Sequence, residues 1–255
     1  MPYIKLNGKQ VYYAGDSSRE GVPVLFCHGS GGGHHHWTYQ LKGLRGGKVN
    51  PLAVDLPGHG RSEGPPAEDI SLNRKWLHCF TQAVQLGPFV PAGHSMGGAI
   101  ALDYALHYPD EIRGLILIGS GGRLRVMPAL LEQLAKGIVP AVLADYLYGP
   151  EASDDLLKKG RKEVESTTAA TYYADLCACD KFDVMEKVSQ ISQPVLMICG
   201  SEDLLTPVKY SRYLEEKLPL GKVEVIDGAG HMVMLEKPDS VNRTIAEFIG
   251  HLASG

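Results

Sequence analysis

Phe89-Val90-Pro91-Ala92-Gly93-His94-Ser95-Met96-Gly97-Gly98-Ala99 decides the fold. The stretch from Phe89 to Ala92 has strand character. It runs into Gly93-His94-Ser95-Met96-Gly97, and a helix of small residues leads out from Met96 to His107, where Pro109 stops it. The pentapeptide fits G-x-S-x-G in the strand–turn–helix context that the pattern requires. Its glycines permit a sharp turn and a close backbone neighbour, and the strained elbow projects the Ser95 hydroxyl into a cleft. The start of the helix adds free N–H groups beside that hydroxyl, where negative charge would develop. A glycine-rich turn with an incidental serine would need no such context.

On either side of the elbow the chain alternates strands and helices. Val22 to Cys27, Leu115 to Ile118 and Val195 to Cys199 are uninterrupted apolar runs, which predicts strands covered on both faces, as in a parallel sheet. Val49 to Val54 and Val223 to Ile226 add strands, and Tyr3 to Leu6 with Gln10 to Tyr13, split by Asn7-Gly8, reads as an opening hairpin. Helical patterns run from Ser71 to about Leu86 and from Pro207 to Leu218, with Thr206 as N-cap. Val241, Ile245, Phe248, Ile249 and Leu252 share one face of a terminal helix. The pattern predicts an α/β fold, a mostly parallel sheet with helices on both faces and right-handed crossovers.

One stretch departs from the alternation. Between the strands ending near Ile118 and starting near Pro194, about 70 residues carry no strand signal. Arg125 to Gly137, Val139 to Tyr148, Ser153 to Val164 and Thr167 to Lys187 have helical patterns. A structureless loop of that length is uncommon, so residues 121–189 are expected to form a helical insertion over one edge of the sheet.

Composition narrows the function classes. The 255 residues are 44% hydrophobic and 21% charged, an ordinary globular balance that argues against disorder. Lys+Arg of 25 against Asp+Glu of 29 gives a net charge of −4, which argues against nucleic-acid binding. No apolar run approaches the roughly 18 residues of a membrane span. Met1 to Asn7 lacks the charged-then-apolar signature of a signal peptide, so a cytoplasmic protein is expected. Five scattered cysteines do not make a disulfide framework. Cys177-Ala178-Cys179 lacks the two-residue gap of the usual zinc pair.

A serine hydroxyl needs a base. His231 lies in Gly228-Ala229-Gly230-His231, just after the last strand, on the rim where α/β sites form. The base needs an orienting carboxylate, and Asp203 follows the strand ending at Cys199, with Glu202 as its rival. The loop after the preceding strand, Gly119-Ser120-Gly121-Gly122, offers no carboxylate. The order Ser95, Asp203, His231 is the Ser…Asp…His order associated with the elbow. An oxyanion hole would draw one amide from His28-Gly29-Ser30-Gly31-Gly32-Gly33, that of Ser30, and one from Met96. No Gly-Lys-Ser/Thr follows to make that loop a phosphate cradle.

His28, Gly29, His94, Trp37 and Met232 are the candidate pocket residues, with Trp37 and Tyr39 either lining the pocket or packing beneath it. The adjacent His34, His35 and His36 cannot all point one way, and no carboxylate follows at ligand spacing. They read as a polar rim of the loop, so no metal site is expected. Asp55 and Arg61 read as a polar pair bracing a turn, and Asp103 as a surface or helix-packing acid. Met127, Leu130, Leu131, Leu134, Tyr146 and Tyr148 read chiefly as core of the insertion.

Taken with Asp55-Leu56-Pro57-Gly58-His59-Gly60-Arg61-Ser62 and the Gly200 to Asp203 segment followed by Pro207, these pieces make the chain resemble the α/β-hydrolase fold superfamily over nearly its whole length. The resemblance implies a core domain of residues 1–120 and 190–255 and a helical cap of 121–189 that closes the cleft and contributes to the substrate pocket. It implies a serine-carboxylesterase-like enzyme without a cofactor, cleaving small to medium carboxylic esters through an acyl-enzyme. Its partner would be a small-molecule ester and its state a monomer or homodimer.

Fold alone does not give substrate. Members that use an aspartate nucleophile are excluded by Ser95. The glycine-rich loop and Trp37 resemble carbon–carbon bond hydrolases of ring-fission (meta-cleavage) products. Those usually carry Asn before the nucleophile and Trp after the histidine, where His94 and Met232 stand. Perhydrolases often carry an aromatic residue at the position of Ser30. Thioesters and amides are chemically equivalent substrates, and a small-ligand receptor of the same fold is the non-enzymatic alternative.

Overall fold

The computed structural model describes residues 3–253; Met1 and Pro2 of the N-terminal stretch lie outside them. The chain opens with β1 (Tyr3–Leu6) and β2 (Lys9–Ala14), an antiparallel hairpin. Its two-residue turn, Asn7-Gly8, takes φ of 50° and 78°, the left-handed pair that matches strand twist. Then come β3 (Val22–Cys27), α1 (Thr38–Gly43), β4 (Val49–Val54), α2 (Ile70–Ala83), β5 (Val90–His94), α3 (Met96–His107) and β6 (Leu115–Ile118). The long excursion holds α4 (Pro128–Ala135), α5 (Asp154–Ser166) and α6 (Ala169–Lys181), with a 3-10 turn at Ala141–Tyr146. The chain returns through β7 (Val195–Gly200), α7 (Val208–Lys217), β8 (Gly221–Ile226), α8 (Val233–Glu236) and α9 (Pro238–Leu252). No helix among the described residues is long and apolar enough to cross a membrane.

The eight strands lie in the order β1-β2-β4-β3-β5-β6-β7-β8, and every pairing from β4 onward is parallel. The continuous apolar runs are continuous because both faces are covered. On one face Leu25, Cys27, Leu117 and Met197 pack with residues of α2, α3 and α7. On the other, Val24, Phe26, Ile116 and Ile198 pack with Val233, Val241, Ile245 and Ile249. Alternate residues of one strand thus feed two cores.

Strand order also sets where a ligand can sit. From β3 the chain steps outward to β4, then returns across to β5 on the other side of β3. Order reverses between β3 and β5, and a crevice opens beyond their carboxyl ends at such a switch point. Cys27 pairs with Gly93, so the residues that follow, His28 to Ser30 and His94 to Ser95, flank that crevice.

The boundaries show three differences from expectation. The first helix after β4 is capped by Asp69, whose carboxylate accepts from Ser71 N at 2.7 Å, rather than starting at Ser71. Thr206 does not cap α7, because its hydroxyl and amide are turned onto Asp203. In the excursion, Ser153 and Thr168 cap α5 and α6 with their side-chain oxygens. The helix expected up to Lys187 ends at Lys181, where the chain turns extended and Asp183 bridges to Arg123.

Candidate active site

The elbow is built as the glycines demand. Ser95 has φ 52° and ψ −115°, a strained conformation for a residue with a side chain. A Cβ on Gly93 would strike the Gly97 carbonyl, and one on Gly97 would strike the Cys27 carbonyl of β3, so neither position has room for a larger residue. The turn is pinned by Ser95 N donating to Ile118 O at 2.9 Å and by Ser120 Oγ donating to Ser95 O at 2.8 Å.

Ser95 and His231 line one cavity of about 110 Å³, together with Gly29, Ser30, His94 and Met232. Its remaining wall is mainly apolar, from Leu143, Leu147, Val164 and Leu176 of the excursion and Leu205 beyond β7. His231 Nδ1 donates to Asp203 Oδ2 at 2.9 Å, and both residues are buried. That bond leaves Nε2 of the ring without the proton. Asp203 also accepts Thr206 Oγ1–H on Oδ2 at 2.8 Å, and on Oδ1 the amides of Leu205 and Thr206 at 2.9 and 2.8 Å. Burial alone would favour the neutral acid. The His231 ring and these donors outweigh it and hold the Asp203 carboxyl well below the usual carboxylate range. Glu202, the rival, uses its carboxylate to accept from Ser201 Oγ at 3.1 Å, outside this cluster.

The two amides expected as oxyanion donors belong to Ser30, in the loop after β3, and to Met96, the first residue of α3. Neighbouring amides are committed: Gly31 N to Asp175 Oδ2 at 2.8 Å, Gly32 N to Gly29 O at 3.1 Å, and Gly98 N and Ala99 N to Ser95 O. No such commitment is found for the Ser30 and Met96 amides among the described residues.

His94 donates from Nε2 to His231 O at 3.0 Å. Burial, with the His231 ring 4.5 Å away between centroids, keeps it well below its ordinary value and therefore neutral. It is a spacer that fixes the height of the His231 loop.

Two candidate pocket residues are not in the cavity wall. Trp37 is fully buried and stacks on Phe26 at 4.7 Å and 28°, beneath the site in the second core. His28 is buried and neutral: Nδ1 donates to Gly29 O at 2.8 Å and Nε2 accepts from Leu56 N at 3.1 Å, so it braces the loop from behind. The Asp55–Arg61 brace forms through the main chain. Asp55 accepts Arg61 N at 2.9 Å and His34 N at 2.5 Å, while the guanidinium lies over Tyr12. Asp103 packs helices, pairing with Arg74 of α2 at 2.8 Å.

Three acids that tie the excursion to the core are not singled out by sequence motifs. Asp175 on α6 accepts from Gly31 N and from His59 Nε2, the latter at 2.9 Å. His59 Nδ1 faces Pro57 O at 3.0 Å. Burial opposes charge on His59, but an acceptor at each nitrogen raises it above its ordinary value. Glu236 accepts Gly149 N at 2.8 Å and Gly230 N at 3.0 Å, and Met232 N donates to Leu147 O at 2.9 Å, so the His231 loop is sewn to residues 147–149. Glu163 on α5 lies 2.7 Å from both His35 Nε2 and His36 Nε2, and it lines the cavity. The spacing of Tyr172, Asp175 and Cys179 on the buried face of α6 is a legible signal for Asp175; Glu163 and Glu236 have none.

A family model described as the alpha/beta hydrolase family matches residues 24–244. A solved structure titled as that of a thermophilic esterase superposes with a TM-score of 0.85 at 31% identity, covering 98% of this chain and 97% of its own. A pimeloyl-(acyl-carrier protein) methyl ester esterase from Nitrosomonas europaea is 27% identical over 233 residues, 80% of this chain and 89% of that protein. The dihydrolipoyllysine-residue acetyltransferase component of an acetoin cleaving system from Pseudomonas putida is 28% identical over 247 residues. That match takes in 90% of this chain and 64% of the relative's length.

Proposed function

The chain belongs to the alpha/beta hydrolase family, and from that premise we propose that it is a serine hydrolase of small to medium carboxylic esters. The observation that carries the reading is one cavity shared by a strained serine and a buried histidine whose Nδ1 is committed to a carboxylate. The esterase names of two relatives support an ester over other acyl substrates.

Ser95 Oγ attacks the ester carbonyl while His231 Nε2 takes its proton. Asp203 holds the ring in the tautomer with the proton on Nδ1 and stabilises the imidazolium that forms, without taking the proton itself. The Ser30 and Met96 amides receive the tetrahedral oxyanion; such donors are typically worth about 3 kcal/mol each. His231 returns the proton to the departing alcohol. Water then attacks the acyl-enzyme with His231 again as base, releasing the acid and Ser95. Residues 121–189 act as a cap over the core of 1–120 and 190–255. Leu143, Leu147, Val164 and Leu176 give the acyl chain an apolar wall and keep bulk water from the intermediate.

The deciding experiment is hydrolysis of p-nitrophenyl esters of increasing chain length by wild type and Ser95→Ala, with mass mapping of a serine-directed phosphonate. Turnover should vanish in the variant with its far-UV spectrum unchanged, and the label should sit on Ser95. Retained turnover, or a label elsewhere, would refute the assignment.

A further inference from the structure

His34, His35 and His36 occupy a single 3-10 turn, and the turn splits them. His34 is taken by Asp55, with Nδ1 2.9 Å from Oδ2. The next two rings swing to the other side, and both Nε2 atoms converge on the Glu163 carboxylate, which arrives from α5 across the core–excursion boundary. The three donor atoms lie within 4.8 Å of one another. From these positions we propose that His35, His36 and Glu163 form a binding site for a divalent transition ion of the zinc class, joining α5 to the loop after β3.

Donor chemistry selects the class. Two imidazoles and one carboxylate suit zinc and its borderline-soft neighbours, whereas calcium and magnesium favour all-oxygen sets. In the metal-free protein Nε2–H of the buried His36 donates to Glu163, and Nδ1, which has no hydrogen-bond partner among the described residues, is the nitrogen that takes up the proton when Nε2 ligates. His35 is half-exposed in side chain and Glu163 a quarter exposed, and both border an open groove also lined by Gly31, Gly32 and His59. The groove admits the ion and a water as fourth ligand. Ligand atoms about 2.0–2.2 Å from zinc stand roughly 3.3 Å apart in a tetrahedron. Glu163 must therefore withdraw by a few tenths of an ångström and the rings close in, a movement that its partly exposed side chain on a helix surface allows. His36 and Glu163 also line the cavity beside Ser95, so an ion here fixes one of its walls.

The test is metal binding, which separates it from the esterase reading. Protein purified without a polyhistidine tag and stripped with EDTA is titrated with zinc by calorimetry and with cobalt(II) by visible absorption. One ion per chain is expected, with micromolar or tighter affinity, cobalt d–d bands and no thiolate charge-transfer band. His35→Ala and Glu163→Gln should each weaken binding about tenfold or more, with far-UV spectra reporting that they fold. Sub-stoichiometric binding, a thiolate band, or unchanged affinity in both variants would overturn the site. If either variant does not fold, the cobalt spectrum of wild type decides alone.

Discussion

Thr206→Val is the most discriminating perturbation of the site, because it changes one hydroxyl into a methyl group of nearly equal size. In the wild type that hydroxyl donates to Asp203 Oδ2 at 2.8 Å and lies 3.3 Å from His231 Nδ1. Valine leaves Oδ2 with the imidazole as its single close donor, while Oδ1 keeps its two amides. A hydrogen bond to a charged group contributes about 1.5–3 kcal/mol. At about 2–4 °C per kcal/mol for a chain of this size, a loss near 2 kcal/mol lowers Tm by roughly 4–8 °C. The carboxylate that orients the ring is then less firmly held. If about 1.4 kcal/mol of the loss falls on the transition state, kcat drops about tenfold. KM for an activated ester stays unchanged, since Thr206 is not in the cavity wall. Thr206→Ser is the control: it restores the hydroxyl without the methyl group and should recover most of both effects. The reasoning fails if the valine variant melts within about a degree of wild type, or if serine is as impaired as valine.

Asp203→Asn should lower kcat on the order of ten-thousandfold through loss of the correct imidazole tautomer, measured with p-nitrophenyl butyrate; a loss under a hundredfold would reassign the carboxylate. Trp37→Ala should cost about 3–5 kcal/mol in urea unfolding, whereas Trp37→Phe should leave the acyl-chain preference unchanged; a shifted preference would return Trp37 to the pocket. The buried His59–Asp175 pair predicts a pH-dependent stability. A histidine raised in the folded state stabilises fully below its unfolded value of about 6.5 and loses that contribution as pH rises through the folded value. Wild type should therefore lose Tm more steeply than Asp175→Asn as the pH is raised above about 6.5, and parallel curves would refute the charged pair.

What the sequence makes legible is local chemistry. The elbow reads from six residues because strain and close approach restrict them to glycine around Ser95. The two-sided strands read from runs such as Leu115 to Ile118, because burial on both faces removes alternation. Asp203 and His231 read from their places after the last two strands. What stays hidden depends on docking. Glu163 and Glu236 are ordinary helix-surface acids until the excursion folds over the core, which brings Glu163 to His35 and His36 and brings Gly149 to Glu236. Trp37 and His28 flank the glycine loop and so look like pocket residues; only the three-dimensional turn sends one ring down onto Phe26 and the other behind the loop to Leu56. Thr206 has the residue type and position of a helix cap, and it is the nearby carboxylate that wins the competition for its hydroxyl and amide.

The seam between the His231 loop and residues 147–149 has a consequence for turnover. Gly149 and Gly230 share the Glu236 carboxylate, and the main chains of Met232 and Leu147 are bonded directly. An outward displacement of residues 147–149 would have to break these bonds or carry the His231 loop with it. On the proposed mechanism, loosening this seam would disarm the base, so an acyl-enzyme would not be exposed to solvent on that side by a movement that kept the site active.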